Sequence, residues 1–151
     1  MKNNPFNLSG KNILITGASS GIGRQCAITS SGLGAHVILL GRSTERLQET
    51  AALLENDNYI IVVTDITDYE NTIAKLEEAI ANLKIDGIIH AAGISTTLPL
   101  RNITPKKLQP FFETNVFAAI DITKLLTKRK FANPTGMSIV FLASVMGVVG
   151  E

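Results

Sequence analysis

Apolar residues come in five short consecutive runs along this chain, and the more polar stretches between them open on helix-start signals. Asn12–Thr16 predicts the first strand. Runs at 36–40, Tyr59–Val63, Gly87–His90 and 138–142 predict four more. A helix is expected over 22–31. Ser43 is placed to cap a second helix reaching about residue 55. Thr67-Asp68-Tyr69-Glu70 has capping-box spacing and predicts a third to about residue 83. Thr104-Pro105 puts proline at the first turn of a fourth, expected through residue 128. The strand runs show little alternation, so both of their faces are expected to be covered, as in a parallel sheet between helix layers. The expected fold is therefore α/β, a Rossmann-like doubly wound parallel sheet of order 3-2-1-4-5 in a three-layer α/β/α sandwich. One domain over residues 1–151 is expected.

Between the first strand and its helix lies Thr16-Gly17-Ala18-Ser19-Ser20-Gly21-Ile22-Gly23. Strand, glycine turn and helix in that order suit a dinucleotide pyrophosphate. Gly17 lets the chain reverse. Gly21 lets backbone N–H groups approach phosphates, and Gly23 lets the helix pack close to its strand. Ser19, Ser20 and Ile22 complete the turn. The phosphates would sit at the positive end of the helix dipole.

Ligands of such sheets bind at the carboxyl ends of the strands, and several unusual residues fall there. Arg42 follows the second strand where NAD-specific sites carry an acid, roughly 20 residues past the glycines. No acid stands beside Gly41 at the strand tip. A guanidinium there can grip a 2′-phosphate, so NADP(H) is expected over NAD(H); the other reading is a solvated arginine opening a helix. Asp65, followed by Ile66, either accepts from an adenine amino group or serves as a turn aspartate. His90-Ala91-Ala92-Gly93 ends the fourth strand, and its small residues permit close approach of a ligand. A lone histidine there is more often a structural hydrogen-bonding residue than a base, and no metal site is expected. Ser144 follows the fifth strand without the Gly-x-Ser-x-Gly of a nucleophile elbow. It either caps a turn or donates to a substrate oxygen. Asn115 is a poor helix former among Phe111, Phe112, Val116 and Phe117, which are expected to be buried packing. It is either a core bridge or part of the site.

Composition narrows the partners. A net charge of +1 with scattered lysines and arginines gives no reason to expect nucleic acid or an anionic membrane. Cys26, the one cysteine, cannot pair within the chain and is expected against the sheet as a small apolar residue. A cytoplasmic location is expected, with no signal core and no membrane span.

Together these residues resemble the classical short-chain dehydrogenase/reductase family from about Leu8 onward. Thr16–Gly23 is similar to its TGxxxGIG turn. Asp65 matches an adenine-contacting aspartate, and His90–Gly93 falls where the family has Asn-Asn-Ala-Gly. Asn115 and Ser144 match the asparagine and serine of its catalytic tetrad. The resemblance implies hydride transfer between a nicotinamide and a ketone or secondary alcohol, with 3-oxoacyl carrier-protein reductases the nearest subgroup. It implies that the serine holds the substrate oxygen, a tyrosine exchanges its proton, a lysine lowers that tyrosine's pKa, and the asparagine orients a relay water. It also implies a homo-oligomer, dimer or tetramer, for the intact protein.

Two departures qualify the resemblance. His90 and Ala91 replace two asparagines, the first of which steadies the sheet in the family. The family's Tyr-x-x-x-Lys, downstream of the serine, has no counterpart among residues 145–151. The only tyrosines are Tyr59 and Tyr69, and neither is followed by lysine four residues later. The chain is therefore expected to be a truncated member lacking the last strands, with at most trace reductase activity and an exposed apolar fifth strand. The alternatives are a non-catalytic dinucleotide-binding module or a non-functional fragment.

Overall fold

The computed structural model describes residues 4–145. Its five strands are β1 (Asn12–Thr16), β2 (His36–Gly41), β3 (Tyr59–Val63), β4 (Gly87–His90) and β5 (Ser138–Phe141). All pairings are parallel, in the order β3-β2-β1-β4-β5. The expected sheet and strand order are therefore those observed. Side chains alternate across a pleated strand. Ile13, Ile15, Val37 and Leu39 accordingly face one side, and Leu14, Ile38, Leu40 and Ile88 the other. Both sets are buried, which is why the strands are apolar without alternation.

Helices α1 (Gly21–Gly32) and α2 (Thr44–Ala51) cover the first side, bringing Ala27, Leu47 and Ala51 onto it. Cys26 packs there too, as expected. On the second side lie α3 (Tyr69–Ala79) and α5 (Ala118–Leu126), with Leu76, Ile122, Leu125 and Leu126 in the core, while α4 (Pro105–Phe112) buries none of its residues. Each fully buried leucine or isoleucine contributes about 1.5–3 kcal/mol relative to exposure. β5 differs from the other strands. It is an edge strand paired only to β4, as β3 is paired only to β2, but its Val140 and Phe141 are 49% and 58% exposed. Residues 146–151, which carry the apolar run after Ser144, lie outside the described residues.

Local chemistry shifts several boundaries. Ser43 caps α2 as expected, its hydroxyl accepting from the Arg46 N–H. α2 stops at Ala51 rather than near residue 55, because Leu53 and Leu54 bond three residues back and tighten the chain into turns. The capping box at Thr67 does not form. Asp65 Oδ1 accepts from both the backbone and the hydroxyl of Thr67, so Asp68 becomes the cap and its side chain accepts from the Asn71 N–H. The helix expected over 104–128 is interrupted. α4 passes into a π-helical turn, Glu113–Phe117, before α5 begins. Phe112, Val116 and Phe117, expected to be buried, are 50%, 39% and 48% exposed. With Leu108 and Ile120 they form an exposed apolar stripe along this helix.

Candidate functional site

Two adjoining cavities open at the carboxyl ends of the strands. The first, about 330 Å³, lies over the glycine turn and reaches Arg42, Asp65, Ile66 and Gly93. The second, about 560 Å³, is lined by His90, Asn115, Phe141 and Ser144. Ile22, Ile66, Ala91 and Gly93 line both. Of the site residues expected from sequence, only Gly23 lines neither. Its place is behind the turn, where a Cβ would lie 2.3 Å from the Gly17 carbonyl oxygen. Gly17 has φ +68°, and a Cβ there would lie 2.8 Å from the backbone of Ala92. Helix α1 therefore packs directly onto the turn, and the turn onto the end of β4. The result is a cradle of backbone with Ser19, Ser20 and Gly21 at its surface. Such a cradle at a helix N-terminus fits a dinucleotide pyrophosphate.

Arg42 stands at the far side of this cavity and is 72% exposed at its side chain. Its guanidinium lies 3.8 Å from Asp65 Oδ2. Of the two readings left open by the sequence, Asp65 shows the turn aspartate. Oδ1 makes the turn to Thr67, while the carboxyl group also lines the cavity. The Thr67 N–H, helped by the Thr67 hydroxyl and by Arg42, holds its pKa below the ordinary value against a smaller opposing effect of burial.

His90 is 6% exposed. Its Nε2 is hydrogen-bonded to the Thr123 hydroxyl at 2.9 Å, and its ring stacks on Phe141 with centroids 4.8 Å apart. It thus ties β4 to both α5 and β5, as a structural residue would. Burial pushes its pKa down to about 4. The folded state therefore holds a neutral ring where the unfolded chain, near 6.5, binds a proton. Stability is fully present above pH 6.5 and is lost as pH falls from there towards 4, on the order of 2 kcal/mol for this ring. Burial also lowers His36, which adds to the same window. Urea titrations at pH 7 and pH 4.5 should show a loss that His90→Gln reduces. An unchanged loss in that variant contradicts the assignment to His90.

Asn115 sits in the π turn and is not a core residue. Its Oδ1 accepts from the Ile94 N–H and its Nδ2 donates to the Ile94 carbonyl, each at 2.9 Å. Both ends of the amide thus fix the loop that follows β4. Ser144 lines the same cavity as Asn115. Tyr59 lies at the opposite end of the sheet, where β3 begins. Tyr69 lines a separate groove between α3 and α5, its hydroxyl 3.5 Å from the Glu113 carbonyl.

Sequence reasoning gave Thr16 no role beyond opening the glycine turn and did not single out Arg46. The Thr16 hydroxyl accepts from the N–H groups of Ala91 and Ala92, both at 3.1 Å, and joins the ends of β1 and β4. Arg46 lines the first cavity one helical turn after Arg42. Its position four residues past Arg42 in a capped helix is a signal that could have found it. Among the described residues, no cluster of three or more His, Cys, Asp or Glu is placed to hold a metal, and no helix is long and apolar enough to cross a membrane.

Known proteins share this arrangement. A family model described as short chain dehydrogenase matches residues 11–151. An uncharacterised oxidoreductase of Escherichia coli, YciK, is 32% identical over 152 aligned positions, covering 95% of this chain and 60% of that protein. The 3-oxoacyl-acyl-carrier-protein reductase FabG of Rickettsia conorii is 33% identical over 150 positions, covering 97% and 58%. Among solved structures, the YciK oxidoreductase superposes with a TM-score of 0.84 at 31% identity, covering 99% of this chain and 64% of that one. A Shigella flexneri protein complexed with NADP gives 0.84 at 30% identity, covering 98% and 64%. The chain spans 60% or less of the length of these curated relatives.

Proposed function

Because this chain belongs to the short chain dehydrogenase family, we propose that it is the cofactor-holding part of an NADP(H)-dependent oxidoreductase acting on a ketone or secondary alcohol. The observation that carries this reading is the backbone cradle of Gly17 and Gly23 beside a cavity with Arg42 at its far end. The nicotinamide cofactor, when bound, supplies the hydride chemistry. In this reading the chain's own residues bind and orient. The N–H groups of the glycine turn hold the pyrophosphate, Arg42 the 2′-phosphate, and Asp65 the adenine amino group. Ser144 donates to the substrate oxygen. Asn115 shapes the adjoining cavity by fixing Ile94. His90 supports the sheet below and takes no part as a base, since its neutral ring is bonded to Thr123.

The 3-oxoacyl carrier-protein reductases are the subgroup proposed, supported by the FabG relative. NADP is supported by Arg42, by the absence of an acid at Gly41, and by the Shigella neighbour complexed with NADP. A cytoplasmic location is proposed on the single cysteine. A homo-oligomer is proposed for the intact protein, supported by the exposed stripe of Leu108, Phe112, Phe117 and Ile120, and sedimentation reads it directly.

The 151 residues themselves are expected to have at most trace activity, since neither tyrosine lines the cavity that holds Ser144. NADPH fluorescence should rise on mixing with the chain, while NADPH consumption with a ketone panel stays at background. Robust turnover would refute the assignment of roles. Binding without turnover, even when residues carrying Tyr-x-x-x-Lys are appended after Glu151, would favour a non-catalytic dinucleotide-binding module.

A further inference from the structure

Behind the glycine turn runs a side-chain network that touches neither cavity. Thr50, on α2, is completely buried. Its hydroxyl lies 2.9 Å from the Ala18 carbonyl and 3.0 Å from the Arg46 carbonyl, and it accepts from the Arg24 Nε–H at 3.0 Å. Arg24, on α1, donates from Nη2 to the Ser19 carbonyl at 2.8 Å and to Glu49 at 2.9 Å. Two successive carbonyls of the turn are therefore held by side chains from the helices behind it.

We propose that Arg24 and Thr50 are positioning residues for the pyrophosphate: by fixing the Ala18 and Ser19 carbonyls towards α2, they aim the N–H groups of Ser19 and Ser20 the other way. The argument rests on the dinucleotide reading above and adds a cause to it. A trans peptide is planar, so its C=O and N–H point in opposite directions. Among the described residues all peptides are trans. The Ala18 carbonyl shares a peptide unit with the Ser19 N–H, and the Ser19 carbonyl shares one with the Ser20 N–H. Among the described residues neither N–H has a partner. Both residues line the first cavity. A turn containing two glycines has many accessible orientations. Held carbonyls select one of them before the ligand arrives, which lowers the ordering cost of binding.

The same network ties the turn to α2, the helix that follows Arg42. Thr50, on α2, reaches the Ala18 carbonyl at 2.9 Å, and Arg24 reaches the Arg46 carbonyl at 3.4 Å. The pyrophosphate end and the 2′-phosphate end of the cavity are thus held in fixed relation by residues that touch neither group.

The test compares NADPH, which carries the pyrophosphate, with adenosine 2′-monophosphate, which lacks it. Titrations use the full chain and its Thr50→Val, Thr50→Ser, Arg24→Met and Arg24→Lys variants, with Tm measured for each. Thr50→Val removes a neutral hydroxyl, so any loss it causes is not a loss of charge. Thr50→Val and Arg24→Met should each weaken NADPH about tenfold, the worth of roughly one to two hydrogen bonds. Adenosine 2′-monophosphate should change less than twofold. Thr50→Ser should restore NADPH affinity. Arg24→Lys should not, because one ammonium cannot reproduce the fork that reaches Thr50, Ser19 and Glu49. Equal weakening of both probes, or a fall in Tm with unchanged affinities, overturns the proposal. So does full recovery with Arg24→Lys, which would leave charge alone as the cause. Should Thr50→Val fail to fold, the Arg24 pair decides between the same outcomes. If the unaltered chain binds neither probe, the dinucleotide reading falls and this one with it. If it binds both and every variant matches it, only the positioning role falls.

Discussion

Gly23→Ala is expected to lower Tm by roughly 10 °C and to abolish NADPH binding. A Cβ at residue 23 would lie 2.3 Å from the Gly17 oxygen and 2.7 Å from its carbonyl carbon. Both are backbone atoms, and no rotamer change can relieve the clash. Overpacking of this kind costs about 3 kcal/mol at the upper end of its usual range. In a chain of this size that corresponds to roughly 10 °C. The backbone can yield only by pushing α1 away from β1 or by reshaping the turn, and either movement displaces the N–H groups over the cavity. Gly17→Ala should behave alike for two reasons. Its φ of +68° disfavours any side chain, and Ala92 stands 2.8 Å from the new methyl. Thermal unfolding with NADPH titration checks both. A Gly23→Ala variant with unchanged Tm and affinity would mean that the helix does not press on the turn as described.

Arg42→Gln should cost about ten- to hundredfold in NADPH affinity and leave NADH affinity within a factor of two. A charge-assisted hydrogen bond contributes about 1.5–3 kcal/mol, and each 1.4 kcal/mol is tenfold. The glutamine keeps a polar side chain but loses the charge and the two-pronged grip on a phosphate. Raised salt should erode the advantage of NADPH in the unaltered chain more than in the variant, because the guanidinium is exposed and screened. Asp65 tempers the expectation. At 3.8 Å it already shares the guanidinium, so a 2′-phosphate competes with a carboxylate for the same donors. Equal losses for NADH and NADPH would assign Arg42 to the shape of the cavity instead of to the 2′-phosphate.

How far each feature could be read from residues alone follows from where its determinants lie. The bounds of β1 and β4 are legible because both faces of a central strand are buried, so an unbroken apolar run marks its full length. The glycine turn is legible for a similar reason, since sterics at Gly17 and Gly23 admit almost nothing else. Features that depend on competition between neighbours are harder to read. Thr67 has the right spacing for a capping box, yet Asp65 two residues earlier takes its hydroxyl and its N–H. The π turn around Asn115 leaves no mark in composition. Phe112, just before it, and Phe117, at its end, face outward, where an apolar residue reads the same whether it faces a core or a partner. The Thr50–Ala18 and Arg24–Glu49 contacts join residues 32 and 25 apart, and no local pattern encodes them.

The double hydrogen bond between Asn115 and Ile94 also bears on how the backbone there exchanges with solvent. Ile94 belongs to a loop without regular structure, where a backbone amide would ordinarily exchange with solvent at the rate of loop opening. Its N–H is instead held by a side chain rooted in a helix turn that continues into α5, whose inner face is buried in the core. The loop can open there only when the Asn115 amide lets go of both groups at once. The Ile94 amide is therefore expected to exchange more slowly than its neighbours in the same segment, which amide hydrogen exchange reads residue by residue.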